Sequence, residues 1–423
     1  MIKQEIVDRI ISDVSIREVA ESEGIDFKSH KGNRHWACCP FHNENTPSFY
    51  VDTGTNCWRC FGACRSGGNV ISLYRKLKNG LPFPIACKEL AKKYLNEEIE
   101  DEWRPSKEEE EKQKEQESLR IALSYAQSYF TECIQEVNPA AIKAREAVRK
   151  RWGKDAIGTF GIGYAPVEGF IAWAKHKGLD FDILEQVGLI GTGERGMFPM
   201  LRDRYTIPIY DKMSRVIGFT ARTMSDNKDV CKYLNLKNSL VYRKDTSVFG
   251  INFAQKEARQ KDKFYLVEGA PDVLKLQSIG ILNTVASLGG SWTENQLKQL
   301  YRISKRVIFI PDADELKSGN EFPAGTANVF ANGRAALQVG FTVNVREIPI
   351  DYPAPKKEDP DSWIIDKGHF SQMREEEFVF WYCRRRYWAS PEDIEELTTE
   401  DRLEAISDIC SLLMMIRDED LQN

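Results

Sequence analysis

The stretch Lys305-Arg-Val-Ile-Phe-Ile-Pro-Asp-Ala-Asp314 decides the fold. Its apolar run at 307–310 is continuous and does not alternate with polar residues, which is typical of a parallel strand buried on both faces. The flanking sequence alternates between short apolar runs and amphipathic segments that end at glycines. Strands are predicted at 264–267, 281–286, 307–310 and 341–348, with helices at 271–278, from 293 and at 326–339. Four strands that alternate with three helices predict a parallel, doubly wound α/β sheet.

Acidic residues follow three of these predicted strands. Open α/β sheets place their sites at the carboxyl ends of the strands, so these side chains should lie close together. A single Asp-x-Asp is more often an ordinary turn, but three acidic groups at successive strand ends favour a site for Mg²⁺ or Mn²⁺. Two such ions about 4 Å apart could clamp the attacking and leaving oxygens of a phosphoryl transfer. The acidic residues are Glu268, Asp272, Asp312, Asp314, Asp359 and Asp361.

A second cluster lies near the start of the chain, where five of the ten cysteines (Cys38, Cys39, Cys57, Cys60, Cys64) occur close to three histidines. Buried thiols are the simple alternative, but this density favours one structural zinc ion on a small antiparallel sheet. Cys39 and His42 form the first half-site. The second is either Cys57/Cys60, which has the commoner spacing, or Cys60/Cys64, which has Gly62 inside it and Gly67-Gly68 behind it. The latter is favoured.

Charge is distributed unevenly along the 423 residues, whose net charge is −5. Residues 28–93 contain 11 Lys/Arg against 3 Asp/Glu, and residues 202–244 contain 10 against 4, which indicates two anion-binding surfaces. Solvated faces would produce the same pattern. Residues 97–117 contain 11 acidic and 4 basic residues and have little apolar character, so a charged linker is predicted at 97–118. The start has no apolar signal segment and no run is long enough to span a membrane, so a cytoplasmic protein without membrane contact is expected.

Several stretches resemble one known family, the bacterial DnaG-type DNA primases. The first is Cys39-Pro-Phe-His-Asn-Glu-Asn-Thr-Pro-Ser-Phe49 with Cys60-Phe-Gly-Ala-Cys-Arg-Ser-Gly-Gly-Asn-Val70, which is similar to the family's zinc-binding domain. Gly158-Thr-Phe-Gly-Ile-Gly-Tyr-Ala-Pro166 and the run from Arg204 to Gly250 resemble the first part of its polymerase core. The acidic groups resemble the Toprim fold. After Asp314 the sequence departs from the family, because a longer Glu315–Gly325 loop leads to the next helix.

The resemblance implies a domain order and roles for individual residues. The expected parts are a zinc-binding domain (1–96), the linker (97–118), an N-terminal subdomain of mixed α+β structure (119–255), a Toprim domain (256–370) and an acidic helical tail (371–423). Glu268, Asp312 and Asp314 would be the core metal carboxylates, with Asp359 and Asp361 as added ligands and Asp272 in support. The implied nucleotide- or template-binding residues are Arg204, Arg222, Lys232 and Lys244. Phe49, Trp58 and Phe61 are candidates for stacking on template bases.

The implied function is template-directed synthesis of short RNA primers on single-stranded DNA for replication. Ribonucleoside triphosphates would be the substrates, and a replicative helicase is a possible partner through the tail, which is expected to be dispensable for elongation. Two alternatives stay open. A Toprim nuclease or topoisomerase would share the carboxylates but would not explain the zinc knuckle, and a non-enzymatic zinc nucleic-acid-binding protein would leave the carboxylates unused.

Overall fold

The computed structural model describes residues 2–416 except 3, 43, 45, 79, 100–106, 195, 228 and 388–397. The chain divides into two compact units, Met1–Glu111 and Lys112–Asn423. The division falls inside the segment that the sequence predicts to be a charged linker. In the described chain, no helix is both long and apolar enough to cross a membrane.

The first unit is a small antiparallel sheet with helices on one face. Its five strands pair in sequence order, which confirms the antiparallel sheet predicted around the cysteines. Phe49, Val51 and Trp58 point from the sheet into a core shared with the helices. The elements are α1 (Gln4–Asp13), α2 (Ile16–Ser22), β1 (Ser29–Lys31), β2 (Arg34–Ala37), β3 (Phe49–Asp52), β4 (Cys57–Cys60), β5 (Gly67–Asn69), α3 (Val70–Leu77), α4 (Phe83–Leu90) and a π-helical turn (Ala91–Leu95).

The second unit begins with a helical segment that leads into a mixed subdomain. Its main sheet has the antiparallel order β11-β10-β9-β6, and β7 and β8 form a separate hairpin. The strand β9 is buried along almost its whole length, and its polar residues Arg204 and Thr206 are buried with it. The elements are α5 (Lys107–Cys133), α6 (Pro139–Trp152), α7 (Ala156–Phe160), β6 (Gly163–Ala165), α8 (Phe170–His176), α9 (Phe181–Gln186), β7 (Ile190–Gly193), β8 (Gly196–Pro199), β9 (Arg204–Tyr210), β10 (Val216–Thr223) and β11 (Tyr233–Asn235).

The α/β sheet follows, and its first four strands are parallel in the order β13-β12-β14-β15, as the sequence predicts. In β12, Phe264 and Leu266 face one hydrophobic core, whereas Tyr265 and Val267 face the core shared with the preceding subdomain. Burial on both faces explains the continuous apolar runs. The elements are α10 (Ile251–Lys261), β12 (Phe264–Val267), α11 (Ala270–Ser278), β13 (Thr284–Ala286), α12 (Glu294–Tyr301), β14 (Arg306–Phe309), α13 (Ala324–Val339), β15 (Thr342–Glu347), α14 (Pro360–Trp363) and α15 (Lys367–Gln372).

The chain after residue 373 differs from its prediction. Helices are present, α16 (Phe378–Arg386) and α17 (Thr399–Met415), but β16 (Arg374–Glu377) precedes them and pairs antiparallel with β15. Phe378 and Trp381 on α16 are fully buried in the same core as β12. The predicted domain boundary at residue 370 is therefore wrong, because the sheet and its core extend through α16. The sequence Arg-Glu-Glu-Glu of β16 did not predict a strand, because an edge strand can be polar and then lacks an apolar pattern.

Candidate active site and metal centres

The acidic residues meet at the carboxyl ends of two neighbouring parallel strands. Leu266 on β12 lies opposite Phe309 on β14, so the two strands end at the same edge of the sheet. Glu268 follows β12 directly, and Asp312 and Asp314 follow β14. An isolated bridge pairs Ala313 with Glu358, which brings the segment before α14 to the same place.

Crowding and burial oppose ionisation in this cluster. Burial raises the pKa of Glu268, and the negative charge of Asp314 raises it further. Burial and the charge of Glu268 raise the pKa of Asp312 to about 7, although Lys357 acts in the opposite direction. Carboxyls in such an arrangement favour an added cation.

Two carboxylate oxygens at this edge are buried and have no hydrogen-bond partner among the described residues, Glu268 Oε1 and Asp312 Oδ1. Buried acceptors are nearly always paired, so these two oxygens are open to a ligand. Carboxylate oxygens are the ligands that Mg²⁺ and Mn²⁺ prefer. The cluster therefore has donors of the right chemistry for a divalent cation.

Lys357, which the sequence analysis did not identify, lies at the centre of the cluster. Its Nζ is 2.7 Å from Asp312 Oδ2 and 2.7 Å from Asp314 Oδ1. Burial lowers the pKa of Lys357, but the hydrogen bonds to both carboxylates outweigh this effect and raise it overall. No short motif signals this contact, because Lys357 is 45 and 43 residues from its two partners in sequence.

Gly325 is a second residue that the sequence analysis did not place in the site. Its backbone N–H donates to Asp314 Oδ2 at 2.8 Å, and a Cβ at this position would lie 2.4 Å from the Asp312 carbonyl oxygen. The Glu315–Gly325 loop thus ends by bringing a glycine against the Asp312–Asp314 turn. Close approach to a backbone is a common reason for glycine.

The structure places Asp361, a predicted metal ligand, beside Arg151 and Trp152. Its Oδ1 accepts a 2.6 Å hydrogen bond from Trp152 Nε1, and its Oδ2 accepts hydrogen bonds from Arg151 Nε, at 3.0 Å, and Nη2. Only 7% of the side chain is exposed. Both carboxylate oxygens therefore already accept hydrogen bonds, and the role of Asp361 as a metal ligand stays a prediction.

Asp272 and Asp359 position the backbone around the cluster. Asp272 accepts hydrogen bonds from the N–H groups of Gly269 and Asp361, and burial followed by the charge of Asp312 raises its pKa well above the usual value. Asp359 caps α14 by accepting a 2.7 Å hydrogen bond from the Ser362 N–H. Asp272 thus connects the backbone at Gly269 to the backbone at Asp361, whereas Asp359 has one oxygen that accepts the capping hydrogen bond.

Arg151 also connects the carboxylates to the β11-β10-β9-β6 sheet. Its Nη1 donates to the hydroxyls of Tyr205, at 2.9 Å, and Tyr233, at 3.1 Å. Arg222 Nη1 lies 3.4 Å from the same Tyr205 hydroxyl. Arg222 is thus linked to Asp361 through Tyr205 and Arg151, a connection between the two subdomains that sequence motifs do not show.

Of the four predicted basic residues, Arg204 differs most from expectation. Its guanidinium is buried, and Nη1 lies near the carbonyl oxygens of Ala221 and Lys232 at 3.3 and 3.4 Å. Burial lowers the pKa of Arg204. The prediction that Arg204 binds nucleotide or template is corrected, because its donors face backbone carbonyls inside the subdomain.

Lys232 and Lys244 are exposed, and the described residues give neither ammonium an ion-pair partner. Lys244 lines a cavity of about 500 Å³ between the β7–β8 hairpin and residues 234–238, and Lys237 lies on the same wall. Exposed, unpaired ammonium groups are suited to bind phosphates.

In the first unit, the structure brings together one ligand atom each from Cys39, His42, Cys60 and Cys64, all within 4.8 Å of one another. Cys39 Sγ and Cys64 Sγ are 3.6 Å apart, close to the roughly 3.8 Å edge of a zinc tetrahedron with Zn–S bonds of about 2.3 Å. His42 Nδ1 is buried without a hydrogen-bond partner among the described residues, so it is available to a metal. Cys57 is exposed and lies outside this group.

Glu44 organises this cluster, and the sequence analysis gave it no role. Its carboxylate accepts hydrogen bonds from His42 Nε2 (2.8 Å), the Cys39 N–H (2.7 Å) and the Ser48 hydroxyl. Burial opposes ionisation of Glu44, but the hydrogen bonds from Ser48, the Cys39 N–H and His42 outweigh it and lower its pKa to about 2. A carboxylate on the distal nitrogen of a ligating histidine is a typical outer contact of a zinc site.

The predicted stacking residues divide between the two faces of the small sheet. Phe49 and Trp58 are buried in the core, so the prediction that they stack on template bases is wrong. Phe61, in contrast, is 58% exposed. The other face has its own aromatic row, in which Trp36 lies 4.9 Å and Phe61 5.9 Å from Tyr50, measured between ring centroids. The guanidiniums of Arg34 and Arg59 cover the Tyr50 and Phe61 rings.

Three family models match successive parts of the chain. They are the CHC2 zinc finger (residues 2–105), the N-terminal domain of the DNA primase catalytic core (132–255) and a Toprim-like model (265–364). The DNA primase of Pseudomonas putida is 31% identical over 378 residues, which are 87% of this chain and 54% of the relative. That of Clostridium acetobutylicum is 29% identical over 413 residues, 96% of this chain and 65% of the relative. The chain thus spans about half to two thirds of the length of these relatives.

Solved structures agree with these matches. The zinc-binding and RNA polymerase domains of the Aquifex aeolicus primase align over 98% of this chain and 93% of that chain, with 26% identity and a TM-score of 0.57. The RNA polymerase domain of Mycobacterium tuberculosis DnaG, solved in complex with double-stranded DNA, covers 72% of this chain and 94% of that chain, with 25% identity and a TM-score of 0.58.

The fold and the carboxylate cluster define a Toprim protein that carries an N-terminal zinc ribbon. With three family models matched in this order, the chain belongs to the DnaG-type DNA primase family.

Proposed function

We propose that this chain is a DNA primase that synthesises RNA primers on single-stranded DNA from ribonucleoside triphosphates. The observation that carries the proposal is the pair of buried, unpartnered oxygens, Glu268 Oε1 and Asp312 Oδ1, at adjacent strand ends. The reaction is nucleotidyl transfer, in which a 3′-hydroxyl attacks the α-phosphate of a nucleotide and pyrophosphate leaves. The solved complex of the Mycobacterium tuberculosis polymerase domain with DNA supports DNA as a partner.

Glu268, Asp312 and Asp314 would hold one or more Mg²⁺ or Mn²⁺ ions, and Asp359 can add the oxygen that does not accept from Ser362. Bound divalent cations supply charge neutralisation at the phosphates and lower the pKa of the attacking hydroxyl. Asp361 acts as a positioning residue, because its carboxylate fixes Arg151 and its N–H holds Asp272.

Arg222, Lys232 and Lys244 bind nucleotide phosphates or the template strand. Lys232 and Lys244 are exposed. Arg222 contacts the hydroxyl of Tyr205, which also accepts a hydrogen bond from Arg151, the residue that pairs with Asp361. Fixed cations are required because both the triphosphate and the DNA are polyanions. Arg204 supports the sheet on which these residues lie.

The zinc ribbon binds template. Cys39, His42, Cys60 and Cys64 would hold one structural zinc ion, with Glu44 orienting His42. Phe61, which is exposed, and Trp36, which is half-buried, lie on either side of the buried Tyr50 ring and offer a face on which unpaired bases can stack, with Arg34 and Arg59 beside it. A replicative helicase is proposed as a further partner from the resemblance alone.

The test is primer synthesis on single-stranded DNA with ribonucleoside triphosphates, with and without Mg²⁺ or Mn²⁺. We expect metal-dependent RNA products from the wild type and none from Asp312→Asn or Glu268→Gln, while both variants still bind template in a gel-shift assay. Glu294→Gln is the matched control, because Glu294 is an exposed carboxylate on α12 that pairs only with Lys298 in the described structure.

The outcomes also separate the alternatives. Metal-dependent cleavage of DNA without primer synthesis would favour a nuclease, and template binding without either reaction would favour a binding protein. Undiminished primer synthesis by Asp312→Asn or Glu268→Gln would refute the role of the carboxylates.

A further inference from the structure

The ammonium of Lys357 lies between Asp312 and Asp314, two of the three carboxylates proposed to hold a divalent cation. It donates at 2.7 Å to Asp312 Oδ2 and at 2.7 Å to Asp314 Oδ1. These side chains are two residues apart on an extended segment and lie on the same side of it. Without a cation between them, two such carboxylates repel each other. The lysine thus supplies a positive charge at this point of the site.

The backbone of Lys357 is fixed at this point. The neighbouring Glu358 exchanges two hydrogen bonds with Ala313, at 2.8 and 2.9 Å, so the segment is tied to the residue between the two aspartates. The Lys357 N–H also donates to Glu315 Oε1 at 3.2 Å, which connects it to the loop that departs from the family pattern. The start of the lysine side chain is therefore held beside the carboxylates.

The end of the side chain, in contrast, can leave. Lys357 is 54% exposed, whereas Asp312 and Asp314 are 9% and 12% exposed. A four-carbon stem with free rotations can carry the ammonium into solvent while the backbone stays in place. The carboxylates cannot move as readily, because Gly325 holds Asp314 and the buried strand end holds Asp312.

We propose that Lys357 is a built-in competitor of the catalytic divalent cation. Its ammonium holds Asp312 and Asp314 in place when no divalent cation is bound, and it must release the same two oxygens before a cation can bind them. Lys357 is therefore a positioning residue that lowers the affinity of the site for metal. This inference rests on the proposed metal site of the proposed function.

The experiment is a Mn²⁺ titration of the full-length, zinc-loaded protein, with free Mn²⁺ measured by electron paramagnetic resonance. Lys357→Met removes the charge and keeps much of the stem. We expect its dissociation constant for Mn²⁺ to fall about fivefold, which corresponds to about 1 kcal/mol for the lost competing ion pairs. Lys357→Arg retains a cation and should keep the weak affinity of the wild type.

Lys356→Met is the matched control, because Lys356 is the adjacent lysine, is 81% exposed and pairs with Glu358. Its Mn²⁺ affinity should equal that of the wild type. Unchanged or weaker binding by Lys357→Met would overturn the inference, since a purely structural lysine would lower affinity when lost. Equal tightening in Lys357→Arg would also overturn it.

Asp314→Asn separates this result from failure of the proposed site. If the carboxylates bind metal, this variant loses the Mn²⁺ site whatever Lys357 does. Wild-type Mn²⁺ binding by Asp314→Asn would refute the proposed metal site itself, whereas loss of binding there with unchanged binding in Lys357→Met would refute only the competition.

Discussion

The backbone N–H of Gly325 donates a 2.8 Å hydrogen bond to Asp314 Oδ2, eleven residues earlier in the chain. The same glycine has no room for a side chain, because a Cβ would lie 2.4 Å from the carbonyl oxygen of Asp312. Gly325 therefore holds the Asp314 side chain and packs closely against the backbone of Asp312. Its neighbours in this contact are backbone atoms, which cannot move aside as the end of a flexible side chain can.

Gly325→Ala should consequently damage the site more than the fold. We expect a loss of about 1–3 kcal/mol in stability from overpacking. Primer synthesis should fall about 100-fold or more, because catalysis is sensitive to displacements of about 1 Å. Thermal melting and a primer-synthesis assay measure the two effects. Gly158→Ala is the control, since nothing lies within 4 Å of the Cβ position there, and its activity should be unchanged.

The Gly325 contact also shows where sequence reasoning stops. The apolar run before Asp312 predicted a buried parallel strand, and strand ends predicted the meeting of Glu268 with Asp312 and Asp314, because parallel topology alone brings them together. Gly325 enters the same site in the first turn of α13, at the end of a long loop, and Lys357 enters it from the loop before α14. Loop paths depend on contacts between distant residues, for which the sequence contains no periodic signal.

The sequence also could not predict which face of the small sheet would be buried. In the small sheet, Phe49 and Trp58 turn inward while Trp36 and Tyr50 turn outward, although all four are aromatic. Alternation normally reveals the buried face of a strand, but it cannot do so when both faces carry large rings. Only the helices packed on one side decide which face becomes the core.

The ion pair between Arg151 and Asp361 should contribute to stability as a coupled unit. Asp361 is 7% exposed, so Arg151→Met leaves a buried carboxylate without its guanidinium and should cost about 3 kcal/mol. Asp361→Asn removes the charge, and the double variant should therefore be more stable than the sum of the two single effects predicts. Thermal melting of the four proteins gives this coupling.

Lys298→Met provides the comparison for the double-mutant cycle of Arg151 and Asp361. Lys298 forms an exposed i,i+4 pair with Glu294, and the loss of such a pair should change stability by less than about 0.5 kcal/mol. Strictly additive effects of Arg151→Met and Asp361→Asn would contradict the coupling.

Zinc content should distinguish Cys64 from Cys57. Cys64 Sγ lies 3.6 Å from Cys39 Sγ, whereas Cys57 is exposed at the start of β4. Cys64→Ser should lose its zinc and with it much of the roughly 10–16 kcal/mol typical of structural zinc sites. Cys57→Ser should retain one zinc per chain, as measured by mass spectrometry of the metal. The reverse result would show that the fourth ligand is Cys57.

Glu44→Gln tests the same centre without removing a ligand. A glutamine at this position would keep the size of the side chain but would lose the charge that orients His42. Outer contacts of this kind typically change metal affinity about 10- to 100-fold. A competitive chelator titration should show weaker zinc retention than in the wild type, and equal retention would rule out the organising role of Glu44.

The segment after residue 370 was expected to be dispensable for elongation. The burial of its first part, β16 and α16, now predicts that this part is required for folding. β16 pairs with β15 from Asn344 to Glu347, and Phe378 and Trp381 on α16 are fully buried. Loss of one large aromatic side chain from a core costs about 3–5 kcal/mol, and total stability is about 5–15 kcal/mol. A chain that ends at residue 370 should therefore fail to fold its α/β sheet.

A chain that ends at residue 387 is the matched comparison, because it keeps β16 and α16 but lacks α17. It loses Leu412 from the core and the contacts of Asp408 with Tyr382 and Arg334, at 2.6 and 3.3 Å. We expect a lower melting temperature together with extension of a preannealed primer, since none of the proposed site residues lies beyond 387. Normal folding and extension by the chain that ends at residue 370 would contradict the assignment of β16 and α16 to the core.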